Sequence, residues 1–244
     1  MKRLLMTAAV VGFILGSAPS AFAIPILQLY VEGASYDDAT ETWVLADGGT
    51  SIKLWTIGNV SGPGGAGTIS DVKLALAYDA GAVPTFTLTP TTTGGFGGFT
   101  DPSTAAAPTL LQTRTDGSVP LLGDGSALPS HGEYGADTWW QEYSLGDYTS
   151  SDSPMADFID AFPTTLYAGA GQINVYEISV SGYTGVVHFD LYNHVQARNK
   201  IRYKFAPFSH DAEVGAIPEP GTLALFTAGI AAAFTRMRAR RNRI

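Results

Sequence analysis

Asp71-Val72-Lys73-Leu74-Ala75-Leu76-Ala77-Tyr78 decides the fold class. Val72, Leu74, Leu76 and Tyr78 alternate with Asp71, Lys73, Ala75 and Ala77, a period of two that puts each set on its own side of an extended chain. Short runs of the same kind flank it, at residues 26–31, 42–45 and 52–57 before and 85–89 after. Between them stand Asp47-Gly48-Gly49, residues 58–67, Asp79-Ala80-Gly81 and residues 93–98, all rich in turn formers. Strands at this spacing predict an all-β domain, a single jelly-roll-like β-sandwich.

Farther along, the pattern carries more detail. Over 173–180 the apolar parity changes from Ile173 and Val175 to Tyr176, Ile178 and Val180, which predicts either a β-bulge or a strand buried on both faces. Phe189, Leu191, Val195, Ile201, Tyr203 and Phe205 then keep odd parity. His188, Asp190, Tyr192, His194, Gln196, Arg198, Lys200, Arg202 and Lys204 take the even positions. This predicts a core side and a wet side across a hairpin turning near Arg198-Asn199. Residues 100–135 are the least regular, with Asp116-Gly117-Ser118 and Asp124-Gly125-Ser126, and predict long surface loops. One short helix is expected, with Ser153 as N-cap, Pro154 at the first helical position, and Met155, Phe158, Ile159 and Phe162 on one face.

The two ends read differently from the middle. Residues 1–23 have the parts of a signal peptide: Lys2 and Arg3, an apolar run over 4–15, and the small-residue motif Ala21-Phe22-Ala23, which predicts cleavage before Ile24. Residues 24–216 form the expected ectodomain. From residue 217 the chain reads Ile217-Pro218-Glu219-Pro220-Gly221, an uncharged stretch over 222–234, then Arg236, Arg238, Arg240, Arg241 and Arg243. The uncharged stretch, with Gly221, would rise about 21 Å as a helix, short of a hydrocarbon core of about 30 Å, and snorkelling arginines extend its reach. Such arginines act as a cytoplasmic stop-transfer cluster and leave the preceding domain outside. Pro218 and Pro220 hold their segment extended.

Charge and cysteine content exclude whole classes of function. Between Ile24 and Ile217 there are 7 basic and 21 acidic residues, a net charge of 7 − 21 = −14, against −8 for the whole chain. Such a surface repels nucleic acid and anionic lipid. Cysteine is absent, so there is no disulfide, thiolate metal site or cysteine nucleophile. No Gly-x-Ser-x-Gly elbow, His-Glu-x-x-His pair or phosphate-binding Gly-Lys loop occurs.

The three-part tail resembles the PEP-CTERM sorting signal of Gram-negative bacteria, carried by Pro218, Glu219 and Pro220, the apolar run and the arginine cluster. The resemblance implies an exosortase-type processing enzyme as partner, an inner-membrane precursor, and delivery to the cell surface or matrix, often beside exopolysaccharide. The middle resembles the surface proteins called choice-of-anchor proteins, most nearly the group lettered N. The segments that carry this are Leu128-Pro129-Ser130-His131-Gly132, Val187-His188-Phe189-Asp190-Leu191-Tyr192, and Phe205-Ala206-Pro207-Phe208-Ser209-His210-Asp211-Ala212-Glu213. That resemblance implies a surface β domain and no known activity.

Several constellations remain as candidates, with no catalytic residue among them. His188 and Asp190, with His194, read first as a solvated polar face and second as part of a metal site. His210, Asp211 and Glu213 read as loop caps. No cofactor is expected; calcium is the weak candidate, through Asp116 and Asp124 with Glu133 and Asp137, against a first reading as solvated turns. Thr85, Thr87 and Thr89 read as plain β propensity. Trp139, Trp140, Tyr143 and Tyr148 read as core, or as a platform for sugar rings. Arg198, Lys200, Arg202 and Lys204 read as a solvated edge, as a row paired with acids on a neighbouring strand, or as a contact for an anionic polysaccharide. The expectation is a non-enzymatic exported surface protein. A carbohydrate-binding module and a secreted glycan-active enzyme are the alternatives.

Overall fold

The computed structural model describes residues 24, 26–37, 39–40, 42–46, 51–61, 65–91, 107–129, 133–155, 157–158, 169–197, 200–206 and 211–214. Along these the strands are β1 (Leu27–Val31), β2 (Ser35–Asp37), β3 (Thr42–Leu45), β4 (Ser51–Gly58), β5 (Ile69–Asp79), β6 (Thr85–Thr91) and β7 (Thr109–Arg114). They continue with β8 (Thr138–Tyr148), β9 (Ser153–Met155), β10 (Gly169–Ser181), β11 (Val187–Ala197), β12 (Lys200–Phe205) and β13 (Asp211–Val214). The expected all-β architecture is the one observed, and the runs at 26–31, 42–45, 52–57, 71–78 and 85–89 all lie on strands.

The strands form two sheets. The first has the order β1-β4-β10-β6, with β9 beside the start of β10; the second has β2-β3-β13-β11-β5-β8-β7, with β12 beside the second half of β11. Val72, Leu74 and Leu76 of β5 join Leu29, Leu54, Ile57, Ile173, Val175, Phe189 and Leu191 in one shared core. Each such side chain contributes on the order of 2 kcal/mol through the apolar area it removes from water. Although β1 is an edge strand, all five of its residues are buried, because it leans on β3, β11 and β13 of the opposite sheet. The last strand, β13, inserts between β3 and β11, parallel to β3 and antiparallel to β11.

Two expectations left with alternatives are resolved by register. Pairing of β10 with β4 runs without a shift from Gln172↔Gly58 to Ser179↔Ser51. The parity change over 173–180 is therefore no bulge in β10: Ile173, Asn174, Val175 and Tyr176 are buried in succession, on both faces. The hairpin near 198–199 is also present, since Ala197 pairs Lys200. A two-residue connection makes paired residues differ in parity, as in Gln196↔Ile201 and Val195↔Arg202. Odd residues of β12 thus share a face with even residues of β11, and the expectation that Ile201 belongs to the core fails: it is 55% exposed.

Three further corrections follow from tertiary contacts. Ser153, Pro154 and Met155 do not open a helix; they form β9, paired with Gly171, Ala170 and Gly169. Sheet pairing here overrides a good capping signal, and residues 159–162 of the expected helix lie outside the described residues. The stretch 100–135 is more than surface loop, because β7 occupies part of it and pairs β8. The even side of β11 is not wet at His188, Asp190 and Tyr192, for the reason that follows.

Candidate functional site

On the outer side of the second sheet, cross-strand partners line up in rows. Asp190 pairs Ala75, which pairs Glu142, which pairs Gln112. One level along, His188 pairs Ala77, which pairs Trp140, which pairs Arg114, and on the other side Tyr192 pairs Lys73. Because β5 contributes only alanines at the middle of two rows, the floor is shallow between taller side chains, and a loop fills it. Leu128 packs on Ala75 and Tyr192, with Val119, Leu122, Tyr134 and Phe205 around them. Trp140 Nε1 donates to the Ser118 carbonyl at 2.7 Å. Covered in this way, His188 is 5% exposed, Asp190 7%, Glu142 3% and Tyr192 1%. A solvated face was expected at His188 and Asp190; a segment from between β7 and β8 covers it.

Beneath the loop several of the polar groups bond one another. Tyr192 donates its hydroxyl to Glu142 Oε1, and Gln112 Nε2 donates to Glu142 Oε2 at 2.8 Å. Lys73 Nζ lies 4.0 Å from Glu142 and 3.9 Å from Asp71. Tyr134 donates its hydroxyl to Asp190 Oδ2, which also lies 3.4 Å from His188 Nε2. Burial, then the carboxylates of Glu142, Asp190 and Asp71, push the Tyr192 hydroxyl far above the usual phenol range, so it stays a donor. At one margin Asp71 adopts φ 54°, a left-handed conformation, where β5 slips register against β8 and β11; its N–H is held by Asp147 Oδ1 at 2.6 Å. The cluster clamps a loop.

The other sequence candidates are placed as follows. Asp116 Oδ1 accepts from Ser118 N at 3.2 Å and Oγ at 2.5 Å, and Asp124 Oδ1 accepts from Ser126 N at 3.0 Å and Oγ at 2.6 Å. These are Asx turns, in which the serine contacts hold each carboxyl below the usual carboxylate range. Among the described residues, no three His, Asp or Glu side chains converge as a metal site would require. Trp140, Tyr143 and Tyr148 are buried, as the core reading expects, and Trp139 packs partly buried against the core. A cleft of about 290 Å³ beside the loop is lined by Gln112, Arg114, Asp116, Ser118, Val119, Leu121 and Trp140. Its tryptophan shows only an edge, being 2% exposed, and Arg114 lies 4.0 Å from Asp116. Thr85, Thr87 and Thr89 are exposed on one strand, over buried Phe86 and Leu88. His194 packs edge-on against Tyr203. His210 lies outside the described residues, and the side chains of Asp211 and Glu213 are not described.

The described basic row sits on an edge, since among the described residues β12 pairs only β11. Lys204, Arg202 and Lys200 face Asn193, Val195 and Ala197 in register, so acids on the neighbouring strand do not pair with them. Among the described residues, no ion pair reaches Lys200, Arg202 or Lys204. Arg198 lies outside the described residues.

The sequence missed Glu142, Gln112, Lys73 and Tyr134 as one group. The available signal was a carboxylate on the alternating strand 138–148 that register sets beside Ala75. The three segments resembling choice-of-anchor proteins also meet here: Leu128, Tyr192 and Phe205 touch, and Ala206 N donates to the Leu191 carbonyl at 2.7 Å.

Together these features define a two-sheet β protein in which one loop is clamped over a buried polar cluster on the outer side of the second sheet. Residues 216–241 match the PEP-CTERM protein-sorting motif, which covers Pro218, Glu219, Pro220, Arg236, Arg238, Arg240 and Arg241. That motif implies export and exosortase-dependent sorting to the envelope of a Gram-negative bacterium. No curated protein matches the chain. Two solved structures, "BspA_C_WT" and "Streptococcus agalactiae AgI/II polypeptide BspA C terminal domain (WT)", are similar to 79% of it at 8% identity and a TM-score of 0.24. The chain covers 50% of the length of each. The signal peptide with Ala21 and Ala23, and the apolar run and arginines after residue 216, lie outside the described residues. Among the described residues no helix is long and apolar enough to cross a membrane.

Proposed function

We propose that this chain is a non-enzymatic surface or matrix protein. It loses residues 1–23 on export, is held in the inner membrane by its tail, and is cut near Pro218–Gly221 by an exosortase-type enzyme. The observation that carries this is the sorting motif at 216–241, which begins two residues beyond Val214, the end of the last strand. Intact mass of protein extracted from the surface of cells with the matching enzyme tests it: the mature chain begins at Ile24 and ends between Pro218 and Gly221. Most molecules retaining Arg236–Arg243 would overturn it, and Glu219→Ala is expected to accumulate the longer, membrane-held form.

A second role is supported by the edge strand β12. Its three described cations, on a domain of net charge −14, suit an anionic polysaccharide of the matrix, with arginine able to fork onto a carboxylate.

A further inference from the structure

The end of the sandwich from which the tail departs carries exposed apolar residues. Val214 pairs Val187 and Leu45, so β13 finishes where β11 begins and β3 ends. Register places the turns beside β5, β6, β8 and β10 at that same end, through His188↔Ala77, Asp79↔Thr138 and Ser181↔Thr85. Two turns project there: residues 80–84, between β5 and β6, and 182–186, between β10 and β11. They are joined, because the Tyr183 hydroxyl accepts from Asp79 N at 3.1 Å and lies 2.9 Å from Asp79 Oδ2. A Cβ on Gly182 would rest 3.6 Å from the Val83 carbonyl. Val83, in the middle of the first turn, is 81% exposed, and Val186, the last residue of the second, 49%. The basic strand β12 flanks the far half of β11, away from this end.

Only seven residues, 215–221, separate Val214 from the uncharged run that starts at Thr222. Fully extended they span at most about 25 Å, so this end cannot move far from the bilayer that holds the run. On the premise of the membrane-held precursor proposed above, we infer that the Val83 and Val186 turns rest in the interfacial layer of that bilayer, as a lipid-contacting rim. Two side chains are a small contact, but the tether keeps them at high local concentration beside the lipid. An acidic domain gains nothing from anionic headgroups, so the contact is apolar and insensitive to salt.

The absence of cysteine makes the test clean. The membrane-held precursor, residues 24–244, with Val83→Cys, Val186→Cys or, at the opposite end, Ser61→Cys is labelled with an environment-sensitive fluorophore and reconstituted into palmitoyl-oleoyl phosphatidylcholine vesicles. Labels at 83 and 186 are expected to shift to the blue and lose emission when a nitroxide lipid is added, equally at low and moderate salt, while the label at 61 does neither. If the chain does not float with vesicles, the membrane-held tail is wrong and the rim with it. If it floats and the labels at 83 and 186 match the one at 61, the rim alone is wrong. A blue shift without nitroxide quenching means a protein surface covers the turns, and it likewise overturns lipid contact. Loss of quenching at moderate salt overturns the apolar contact.

Discussion

Removing the Glu142 carboxyl should loosen the loop before it unfolds the sandwich. Glu142 is 3% exposed and accepts from Tyr192 and Gln112, with Lys73 at 4.0 Å. In Glu142→Leu the volume is nearly kept, so the cost lies in orphaned donors. The Tyr192 hydroxyl, fully buried, is left unsatisfied at about 1–3 kcal/mol. The Gln112 amide reaches water partly and adds about 0.5–1.5 kcal/mol. Lys73 keeps its solvent and its Asp71 contact, so its share is at most about 1 kcal/mol. The sum centres near 3 kcal/mol, which for a domain of this size lowers Tm by about 6–12 °C. The double variant Glu142→Leu/Tyr192→Phe has no orphaned hydroxyl and should be at least about 1 kcal/mol more stable than the two single losses added together. Urea melts of the four proteins measure this cycle. Hydrogen exchange adds a local readout: in Glu142→Leu the amides of Leu122 and Leu128, bonded to Ser126 and Pro120 carbonyls, should lose protection first. Additivity within about 0.5 kcal/mol, with unchanged exchange at Leu122 and Leu128, would refute the clamp.

Alkaline pH should unfold the domain steeply. Burial raises the hydroxyl pKa of Tyr148, Tyr176 and Tyr192 above the ordinary 10 and pushes Tyr183 up to about 12, so each contributes stability below pH 10 that is lost as pH rises. Three buried tyrosines remove about 4 kcal/mol per pH unit above 10, and tyrosinate absorbance should rise together with loss of circular dichroism; simple titration near 10 with the fold intact would contradict this. Replacing Arg198, Lys200, Arg202 and Lys204 with glutamine should abolish binding to an acidic polysaccharide at low salt and leave stability within about 0.5 kcal/mol, since the three described ones lie on an edge strand. Equal binding by parent and variant at low and moderate salt would make the row purely structural.

Most strands were legible because alternation survives wherever one face is core, as in β5; the broken parity of β10 fitted a bulge as well as burial on both faces, and only its register with β4 decides for burial. What was hidden depends on partners remote in sequence. His188 and Asp190 look solvated when read along β11; only pairing with β5 brings Ala75 and Ala77 beside them, and only Val119, Leu122, Leu128 and Tyr134, from between β7 and β8, then close over the space. Ile201 was misplaced by carrying parity across a turn whose length sets the face. Ser153-Pro154 reads as a helix start in isolation, and Gly169–Gly171, on the far side of an intervening segment, claims it for a sheet. The sorting signal was legible in full because its chemistry is local: order along the chain is all it requires.

That locality meets the fold at β13. The last strand is not an edge addition: it bonds β3 on one side and β11 on the other, so without it β2 and β3 lose their link to the second sheet. A cut between Pro218 and Gly221 falls at least three residues beyond Val214, just clear of the pairing, whereas a cut before Asp211 removes it. Ending the chain after Ile217 should therefore leave a folded domain with parental stability. Ending it after Pro207 strips three register pairs with β11 and four with β3, and exposes Val214's buried site along with the flank of β1. Burial and ladder hydrogen bonds of about 1 kcal/mol each put the loss at several kcal/mol, a large share of the 5–15 kcal/mol that holds a typical domain. Circular dichroism and limited proteolysis of the two truncations decide it. If the shorter chain melts like the longer one, β13 is dispensable, and the fold places no limit on where the processing enzyme can cut.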